Sequence, residues 1–350
     1  MGVDLSGFLS MLSGNSLLAV TCVLTLGVVL VNGWTDAPNA IATCVSTRSI
    51  SPRAAILMAA VLNFFGVLVM SILSPKVAMT IYNMVDFGGN AHEASVALCA
   101  ALSAVVVWAT AAWYFGIPTS ESHALIAGLS GAAIALHGGL GGINFQEWVK
   151  VLYGLVLSTF LGFLSGFFTV RATEAVFRRS DRRKSAGFFR HAQVFGGASM
   201  AFMHGAQDGQ KFISVFLLGL FLSSGRETSG GFVIPIWLMV LCSIVMGLGT
   251  SIGGYRIIKS VGMDMVNLKP YQGFAADTAA AACLLLSSVF GIPVSTTHTK
   301  TTAIMGVGTS KRLSAVNWAL VRDMVLTWVL TFPGCGLLGY LTAKLFMAIF

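Results

Sequence analysis

Long apolar segments separated by short polar stretches recur along the whole chain of 350 residues. Most of them approach the ~20 residues that an α-helix needs to cross the hydrocarbon of a bilayer. The pattern predicts ten segments, at 16–34, 53–73, 92–114, 119–137, 147–170, 192–222, 231–252, 272–290, 297–309 and 320–348. The fourth and ninth are short and rich in Gly, Ser and Thr, which favours broken or re-entrant helices. The stretch 75–90 is ambiguous and is a candidate interfacial helix.

Composition supports an all-α polytopic membrane protein with about ten membrane segments. Hydrophobic residues make up 56% of the chain and charged residues 10%, whereas soluble domains carry about 25% charged residues. The first residues, "MGVDLSGFLSML", lack the basic region of a cleavable signal peptide. The six cysteines lie scattered in apolar segments without metal-binding spacing, and we interpret them as packing residues.

The net charge of +8 is concentrated in one place. Seven of the 21 basic residues fall within 171–190, against two acidic ones. This distribution indicates a cytoplasmic loop under the positive-inside rule and not a nucleic-acid surface. It divides the chain into a first membrane repeat (1–170), a basic cytoplasmic loop (171–190) and a second repeat (191–350). Both termini are then predicted outside the cytoplasm, in a multi-pass protein of the cell membrane.

Two motifs occur twice, in the same order. "GWTD" at 33–36 returns as "GAQD" at 205–208, and "GIPTSESH" at 116–123 returns as "GIPVSTTH" at 291–298. The offsets, 172 and 175 residues, are nearly equal, which indicates an internal duplication. Each half holds five predicted segments, an odd number, so the second half must enter from the opposite face. Inverted repeats of this kind are typical of secondary transporters.

The first motif pair places an acidic residue inside each repeat. A carboxylate near the centre of a membrane helix costs about 2.5–3.5 kcal/mol, so a partner must offset its burial. A bound cation does so, with sodium a candidate at Asp36 and Asp208, and protonation is the alternative. The candidate cation ligands are Thr35, Asp36, Asn39, Gln207, Asp208 and Gln210. The structural alternative is that each Asp caps a broken helix.

The second motif pair has the residues of an anion site. A Pro followed by hydroxyl residues suits the first turn of a half-helix, whose free N–H groups and positive dipole end bind oxyanions. The candidate phosphate ligands are Thr119, Ser120, Ser122, Ser295, Thr296, Thr297 and Lys211. The alternatives are that the hydroxyls bond backbone within their helices and that Lys211 neutralises Asp208 instead of contacting the anion.

Other polar residues of these motifs are candidates for proton transfer or for support of the two sites. The candidate proton-carrying or supporting groups are Glu121, His123, His298 and Lys300. Both histidines have packing as the alternative, and Asp277 and Asp323, near segment ends, are predicted to be structural. The chain has no G-x-S-x-G elbow, P-loop or H-E-x-x-H motif, so the motifs predict neither an enzyme nor a cofactor.

These motifs resemble the PiT family of inorganic phosphate transporters. The family's G-x-N-D-x-x-N-A and H-G-A-N-D-x-Q-K motifs are similar to "GWTDAPNA" (33–40) and "HGAQDGQK" (204–211), and "MAAVLNFFGVL" (58–68), with Asn63, is similar to its second span. Thr35 and Gln207 replace the Asn that precedes each Asp. The resemblance implies symport of phosphate with Na⁺ or H⁺ by a homodimer in the lipid membrane. A sulfate permease, an uncoupled anion channel and an intramembrane phosphatase or transferase are the alternatives.

Overall fold

The computed structural model describes residues 3–88, 90–116, 119–224, 233–252 and 254–350. The described chain is mostly α-helical, with two isolated β-bridges, Val85–Ile143 and Val266–Val316. The helices are α1 (Leu5–Gly14), α2 (Ser16–Thr35), α3 (Pro38–Ser46), α4 (Pro52–Leu73), α5 (Lys76–Tyr82), α6 (Ala91–Tyr114), α7 (Glu121–His137), α8 (Phe145–Val176), α9 (Arg182–Ser224), α10 (Ile236–Ile252), α11 (Tyr255–Lys259), α12 (Pro270–Phe290), α13 (Thr296–Thr309) and α14 (Trp318–Ile349).

Every predicted membrane segment coincides with one of these helices, but only some have the length and apolarity of a span. Six helical stretches are long and apolar enough to cross a bilayer: Ser16–Ser46, Pro52–Leu73, Ala91–Tyr114, Phe145–Val176, Pro270–Phe290 and Trp318–Ile349. The bent pair α10–α11 is a seventh if it counts as one span. The helices of the fourth and ninth segments, α7 and α13, have 17 and 14 residues. The protein is a helical integral membrane protein, and ten segments remain a prediction.

The basic stretch 171–190 is more helical than the loop predicted there. Helix α8 continues to Val176 and α9 begins at Arg182, so that the interruption is confined to 177–181. Arg, Lys and Ala are strong helix formers, which explains why both helices extend beyond the apolar residues. The candidate interfacial helix at 75–90 is reduced to α5, followed by turns and the bridge at Val85.

The first GWTD-type motif lies at a helix break, whereas the second lies inside a continuous helix. α2 ends at Thr35, α3 begins at Pro38, and the backbone between them makes i→i+3 bonds such as Asn39 N–H to the Asp36 carbonyl. Proline lacks the N–H that the continuing helix requires. At the 172-residue offset the second repeat has Gln210 instead, and α9 runs unbroken for 43 residues. The predicted broken helix therefore occurs in one copy only.

The second GIP motif forms the tip of the hairpin α12–α13, and the described residues of the first motif, Gly116 and 119–123, lie between α6 and the first turn of α7. Ser120 caps α7 by accepting a bond from the backbone N–H of His123, and Ser295 caps α13 in the same way at His298. Gly291 has φ +72°, which lets the chain reverse direction after α12. The proline predicted at the start of the first half-helix, Pro118, lies outside the described residues.

The two capped helices lie in the interior of the bundle. Helix α7 packs against α6 and α14, and α13 packs against α8 and α12. Their first turns are completely enclosed, whereas α8 and α14 expose long rows of large apolar side chains, as expected for a lipid-facing surface. The hairpin tips therefore deliver hydroxyl groups into the protein centre. All six cysteines are free thiols, and five of them are buried.

Candidate functional site

Asp36 lies at the break between α2 and α3 and is completely buried. Its Oδ1 accepts hydrogen bonds from Asn39 Nδ2 at 2.8 Å and from the Thr297 hydroxyl, and its Oδ2 is 3.4 Å from the Thr296 hydroxyl. The second hairpin thus closes over the carboxylate of the first repeat. Asn39, one of the predicted ligands, is positioned by the first turn of α3.

Asp208 lies in the middle of α9 and is also completely buried. Its Oδ1 accepts from Lys211 Nζ at 2.8 Å and from the Ser122 hydroxyl at 3.2 Å. Its Oδ2 is 3.1 Å from the Thr296 hydroxyl and 3.4 Å from Asn32 Nδ2. Thr296 is therefore within hydrogen-bond distance of both carboxylates and joins them at the tip of α13.

The bonds around the two carboxylates match in pairs. Each Asp accepts from the residue three positions later, Asn39 or Lys211, and each accepts from a hairpin hydroxyl of the opposite repeat. Ser122 of the first repeat bonds Asp208 of the second, and Thr297 of the second bonds Asp36 of the first. The repeated motifs are therefore brought together in one site.

Lys211 pairs with Asp208 and not with the other carboxylate. Besides Asp208 Oδ1, its Nζ donates to the Ser122 hydroxyl and to the Val294 carbonyl, each at 2.6 Å. Lys211 has no measurable exposed surface, so this ammonium depends entirely on these three acceptors. In this conformation the lysine performs the neutralising role, one of the two that the sequence left open.

The site has the donor set of a cation site. One ligand atom each from Asp36, His204 and Asp208 lie within 4.8 Å of one another. The side-chain oxygens of Asn32 and Asn39 are buried without a hydrogen-bond partner in the described part of the chain. Hard cations prefer carboxylate and amide oxygens, and buried polar atoms without partners call for one. Two carboxylates facing one ammonium also leave excess negative charge, which a cation or a proton neutralises.

Three predicted cation ligands do not point at the carboxylates. The Thr35 hydroxyl donates to the Val31 carbonyl in its own helix at 2.7 Å. Gln207 Nε2 donates to the Ser288 hydroxyl at 3.0 Å, and Gln210 Nε2 donates to the Met70 carbonyl at 3.2 Å. Residues adjacent in sequence project from different faces of a helix, which explains why neighbours of an Asp are directed elsewhere.

The predicted anion ligands divide into two groups. Ser122, Thr296 and Thr297 direct their hydroxyls to the carboxylates, as described above. Ser120 and Ser295 are occupied as helix caps. Thr119 is buried just before the first cap. The hydroxyls available for an anion are therefore those that the carboxylates accept from in this conformation.

Glu121 is the third carboxylate at the centre. It is 1% exposed. Among the described residues, neither of its carboxylate oxygens has a partner at hydrogen-bond distance and angle. Asn32 is a polar neighbour of this carboxyl group. A buried carboxylate without partners is costly unless it is neutral. This geometry agrees with a proton-carrying group.

The two motif histidines lie in an aromatic stack behind the site. The rings of His123 and His298 are 4.6 Å apart, His123 lies 4.9 Å from Phe332, and His298 lies 3.9 Å from Trp328, measured between ring centroids. Both ring nitrogens of His298 lack hydrogen-bond partners in the described structure. The arrangement favours the packing interpretation for both residues.

Lys300 belongs to a second buried cluster. It pairs with Asp277 of α12, and the Thr43 hydroxyl lies 2.8 Å from each carboxylate oxygen of Asp277, so it donates to one of them at a time. Gln193 Nε2 donates to the same carboxylate at 2.7 Å. The cluster joins α3, α9, α12 and α13. Asp277 is therefore a buried partner of Lys300 and not a carboxylate at a segment end, whereas Asp323 is exposed beside Arg322.

His204 and Asn32 are site residues that the sequence interpretation did not select. His204 Nε2 lies 3.3 Å from Asp208 Oδ2, and its Nδ1 is 3.1 Å from Asn63 Oδ1. His204 precedes Asp208 by four residues, and Asn32 precedes Asp36 by four. The i, i+4 spacing on a helix was the available signal, because such residues share one face.

The protein is an apolar helical bundle with charged residues in its interior. These residues lie where the break between α2 and α3 meets the tips of two hairpins. This combination defines a membrane transporter. Comparison with known sequences identifies the family of transporters to which the chain belongs. The profile described as the phosphate transporter family matches residues 32–339, and the chain belongs to this family.

Curated relatives that are described as phosphate transporters match this chain over most of their length. A probable low-affinity inorganic phosphate transporter of Bacillus subtilis is 38% identical over 324 residues, covering 93% of this chain and 95% of the relative. A protein of the same description from Rhizobium meliloti is 36% identical, covering 89% and 90%. A solved structure described as the sodium-dependent phosphate transporter superposes with a TM-score of 0.88 at 22% identity, covering 96% of this chain and 100% of that one. This structural match shows the fold.

Proposed function

We propose that the protein is a cation-coupled symporter of inorganic phosphate in the cell membrane, working as a homodimer. The observation that carries this proposal is the crossed hydrogen bonding of Asp36 and Asp208, together with their excess negative charge. Relatives described as inorganic phosphate transporters support the substrate. A solved relative described as sodium-dependent supports a coupling ion.

Competition for the hairpin hydroxyls supplies the coupling. A hydroxyl has a single hydrogen to donate, so it serves either a carboxylate or a phosphate oxygen at one time. Ser122, Thr296 and Thr297 donate to carboxylates in this conformation. A cation bound by Asp36 and Asp208 replaces these donors and frees the hydroxyls, with the N-termini of α7 and α13, to bind phosphate. Cation binding therefore precedes phosphate binding.

Lys211 takes part in the same exchange. Its ammonium pairs with Asp208 before the cation arrives, and it contacts phosphate once the cation holds Asp208.

Co-transport also reduces the electrical cost of uptake, because each net negative charge moved inward against 100 mV costs about 2.3 kcal/mol. A monoanionic phosphate that enters with one cation moves no net charge.

Two coupling ions fit the site in different ways. Na⁺ would be held by Asp36 and Asp208, with the unpartnered amide oxygens of Asn32 and Asn39 as further ligands. H⁺ would be carried on a carboxyl group, for which Glu121 is the candidate. Thr35, Gln207 and Gln210 would become ligands only in a conformation that releases their present bonds.

The test is uptake of radiolabelled phosphate into proteoliposomes under an imposed sodium gradient or an imposed proton gradient. Asp36→Asn and Asp208→Asn are expected to abolish gradient-driven uptake because each removes a cation ligand. Glu121→Gln is expected to abolish it only under proton coupling. Asp323→Asn is the matched control, because this carboxylate is exposed and pairs with Arg322 and not with a residue of the site.

The outcomes separate the alternatives. Competition by excess sulfate would replace phosphate by another oxyanion as the substrate while keeping the mechanism. Uptake that ignores both gradients and survives both Asp substitutions would overturn coupling and favour an anion channel.

A further inference from the structure

A cavity of about 510 Å³ lies where α8, α9 and the start of α12 meet. None of its lining residues belongs to the site around Asp36 and Asp208, called the carboxylate site below. Its lining includes Glu174 and Phe177 of the α8 end, Ser180 and Ser185 around the α8–α9 connection, and Lys269 and Tyr271 at the start of α12. Ligand sites of drug-sized molecules typically occupy ~300–1,000 Å³. The cavity therefore has room for a small polar group, and the transport mechanism makes no use of it.

The cavity lies at the level of the lipid headgroups. Large apolar side chains of α8 are exposed from Phe145 to Phe168, about 36 Å of helix, which is enough to cross the ~30 Å hydrocarbon of a bilayer. Arg171 follows within one turn, and the cavity begins at Thr173. The lining residues of α8 are thus just beyond the hydrocarbon.

The charge around the cavity is strongly basic. The stretch 171–190 carries seven basic and two acidic residues. Lys269 is exposed in the lining, and its ammonium makes no hydrogen bond or ion pair with the described residues. Arg178, Arg179 and Lys184 are each next in sequence to a lining residue. The one carboxylate of the lining, Glu174, accepts a hydrogen bond from the Tyr271 hydroxyl at 2.9 Å. An anion is the ligand that this charge favours.

Exposed apolar and aromatic residues lie next to the lining residues of the cavity. The rings of Phe177 and Phe188 are 5.6 Å apart, and those of Phe177 and Phe189 are 4.7 Å apart. Phe188 is 54% exposed and Val176 is 75% exposed. A free inorganic anion gains nothing from such a surface, whereas acyl chains pack against it. The arrangement combines a chamber lined partly by polar residues with exposed apolar side chains at its rim.

We propose that this cavity binds the phosphodiester headgroup of an anionic glycerophospholipid. Lys269 contacts the phosphate, the basic residues at the rim add long-range attraction, and the acyl chains extend past Val176 along the exposed apolar face of α8 at Phe168 and Leu164. Ser180 and Ser185 bond the hydroxyl groups of a glycerol headgroup. The site is independent of the proposed transport function.

Binding is measured by native mass spectrometry of the full-length protein in detergent, with phosphatidylglycerol and phosphatidylcholine of equal chain length as probes. Lys269→Ala is expected to weaken phosphatidylglycerol binding about fivefold, corresponding to ~1 kcal/mol for one basic residue at the membrane surface. Ala186→Trp, which fills the chamber, is expected to weaken it further. Lys311→Ala is the matched control, because this exposed lysine lies outside the cavity.

Three outcomes would overturn the proposal. Equal retention of both lipids by the wild-type protein would show that charge is not recognised. Equal losses in Lys269→Ala and Lys311→Ala would show non-specific surface attraction. Displacement by inorganic phosphate or glycerol 3-phosphate at concentrations as low as for the diacyl lipid would show that the site serves a soluble anion. Thermal unfolding of each variant separates a lost site from a lost fold.

Discussion

At the scale of single residues, the described part of the molecule buries six charged side chains to 1% exposure or less: Asp36, Glu121, Asp208, Lys211, Asp277 and Lys300. Three of them meet at the carboxylate site, and Glu121 lies beside it. Asp277 and Lys300 instead form a complete ion pair supported by Thr43 and Gln193. A pair with all its bonds satisfied is suited to holding helices together.

Removing one member of this pair is expected to be far more damaging than removing both. Lys300→Met leaves a buried carboxylate uncompensated, which costs about 3–5 kcal/mol, and Asp277→Asn leaves a buried ammonium. The double variant is expected to regain most of the stability. Thermal unfolding of the four proteins in detergent gives the double-mutant cycle.

Phosphate uptake by the double variant decides whether the pair has more than a structural role. Restored stability with restored uptake is expected. If the double variant regained stability but showed no uptake, the pair would not be purely structural. Lys300 would then be a candidate for a direct role in transport.

The repeated site residues could be predicted from the sequence because duplication marks them. Asp36, Asp208, Ser122, Thr296 and Thr297 all fall in motifs that occur twice, and the structure brings them together. The prediction of Gln207 and Gln210 as ligands rested on adjacency to Asp208, whereas helix geometry presents residues three or four positions away. His204 and Lys211 satisfy that rule. The Asp277–Lys300 pair is 23 residues apart on two helices, and no local pattern indicates such a contact.

At the scale of elements, the two copies of the first motif differ in backbone continuity. Pro38 follows the break at Asp36, whereas α9 passes through Asp208 without interruption. The apolar segments predicted all the long helices, but not this asymmetry. The stretch 171–190 is also more helical than a loop, since charged residues continue a helix as readily as apolar ones once it leaves the membrane.

Pro38→Ala is expected to reduce phosphate uptake strongly without destabilising the protein. Alanine restores the missing N–H and favours a continuous helix, which moves Asp36 relative to Thr297. Pro52→Ala is the matched control, because this proline is at the first position of α4, where a helix tolerates it. The measurements are uptake in proteoliposomes and the melting temperature. Unchanged uptake in Pro38→Ala would show that the break has no part in transport.

At the scale of the whole molecule, contacts between distant segments agree with the predicted order of crossings. Arg256, which two predicted crossings after the basic stretch place on its side of the membrane, donates to the carbonyl of Tyr114 at the end of α6 predicted on that side. Lys76, which two predicted crossings place on the same side as the N-terminus, donates to the carbonyl of Val289 at 3.1 Å, at the end of α12 predicted on that side. We therefore propose two inverted repeats joined at the cytoplasmic side, with both termini outside.

Labelling with a membrane-impermeant maleimide tests this topology. Glu93→Cys is expected to react from outside intact cells, and Lys184→Cys only after the inner face is exposed. Three predicted crossings, including the short α7, separate the two positions. The wild-type protein is the control, because five of its cysteines are buried and the sixth is half-buried. Labelling of both variants from the same face would contradict an odd number of crossings and hence the inversion.

The crossed bonds, Ser122 to Asp208 and Thr297 to Asp36, have a consequence for the fidelity of the machine. Neither repeat completes its site alone, because each carboxylate accepts at least one hydroxyl hydrogen bond from the other half of the chain. Under the proposed coupling, an ion at one carboxylate alone frees the hydroxyl of one hairpin and leaves the other hydroxyl bonded. We therefore propose that a half-loaded centre binds no phosphate, which would protect the stoichiometry of ions to phosphate.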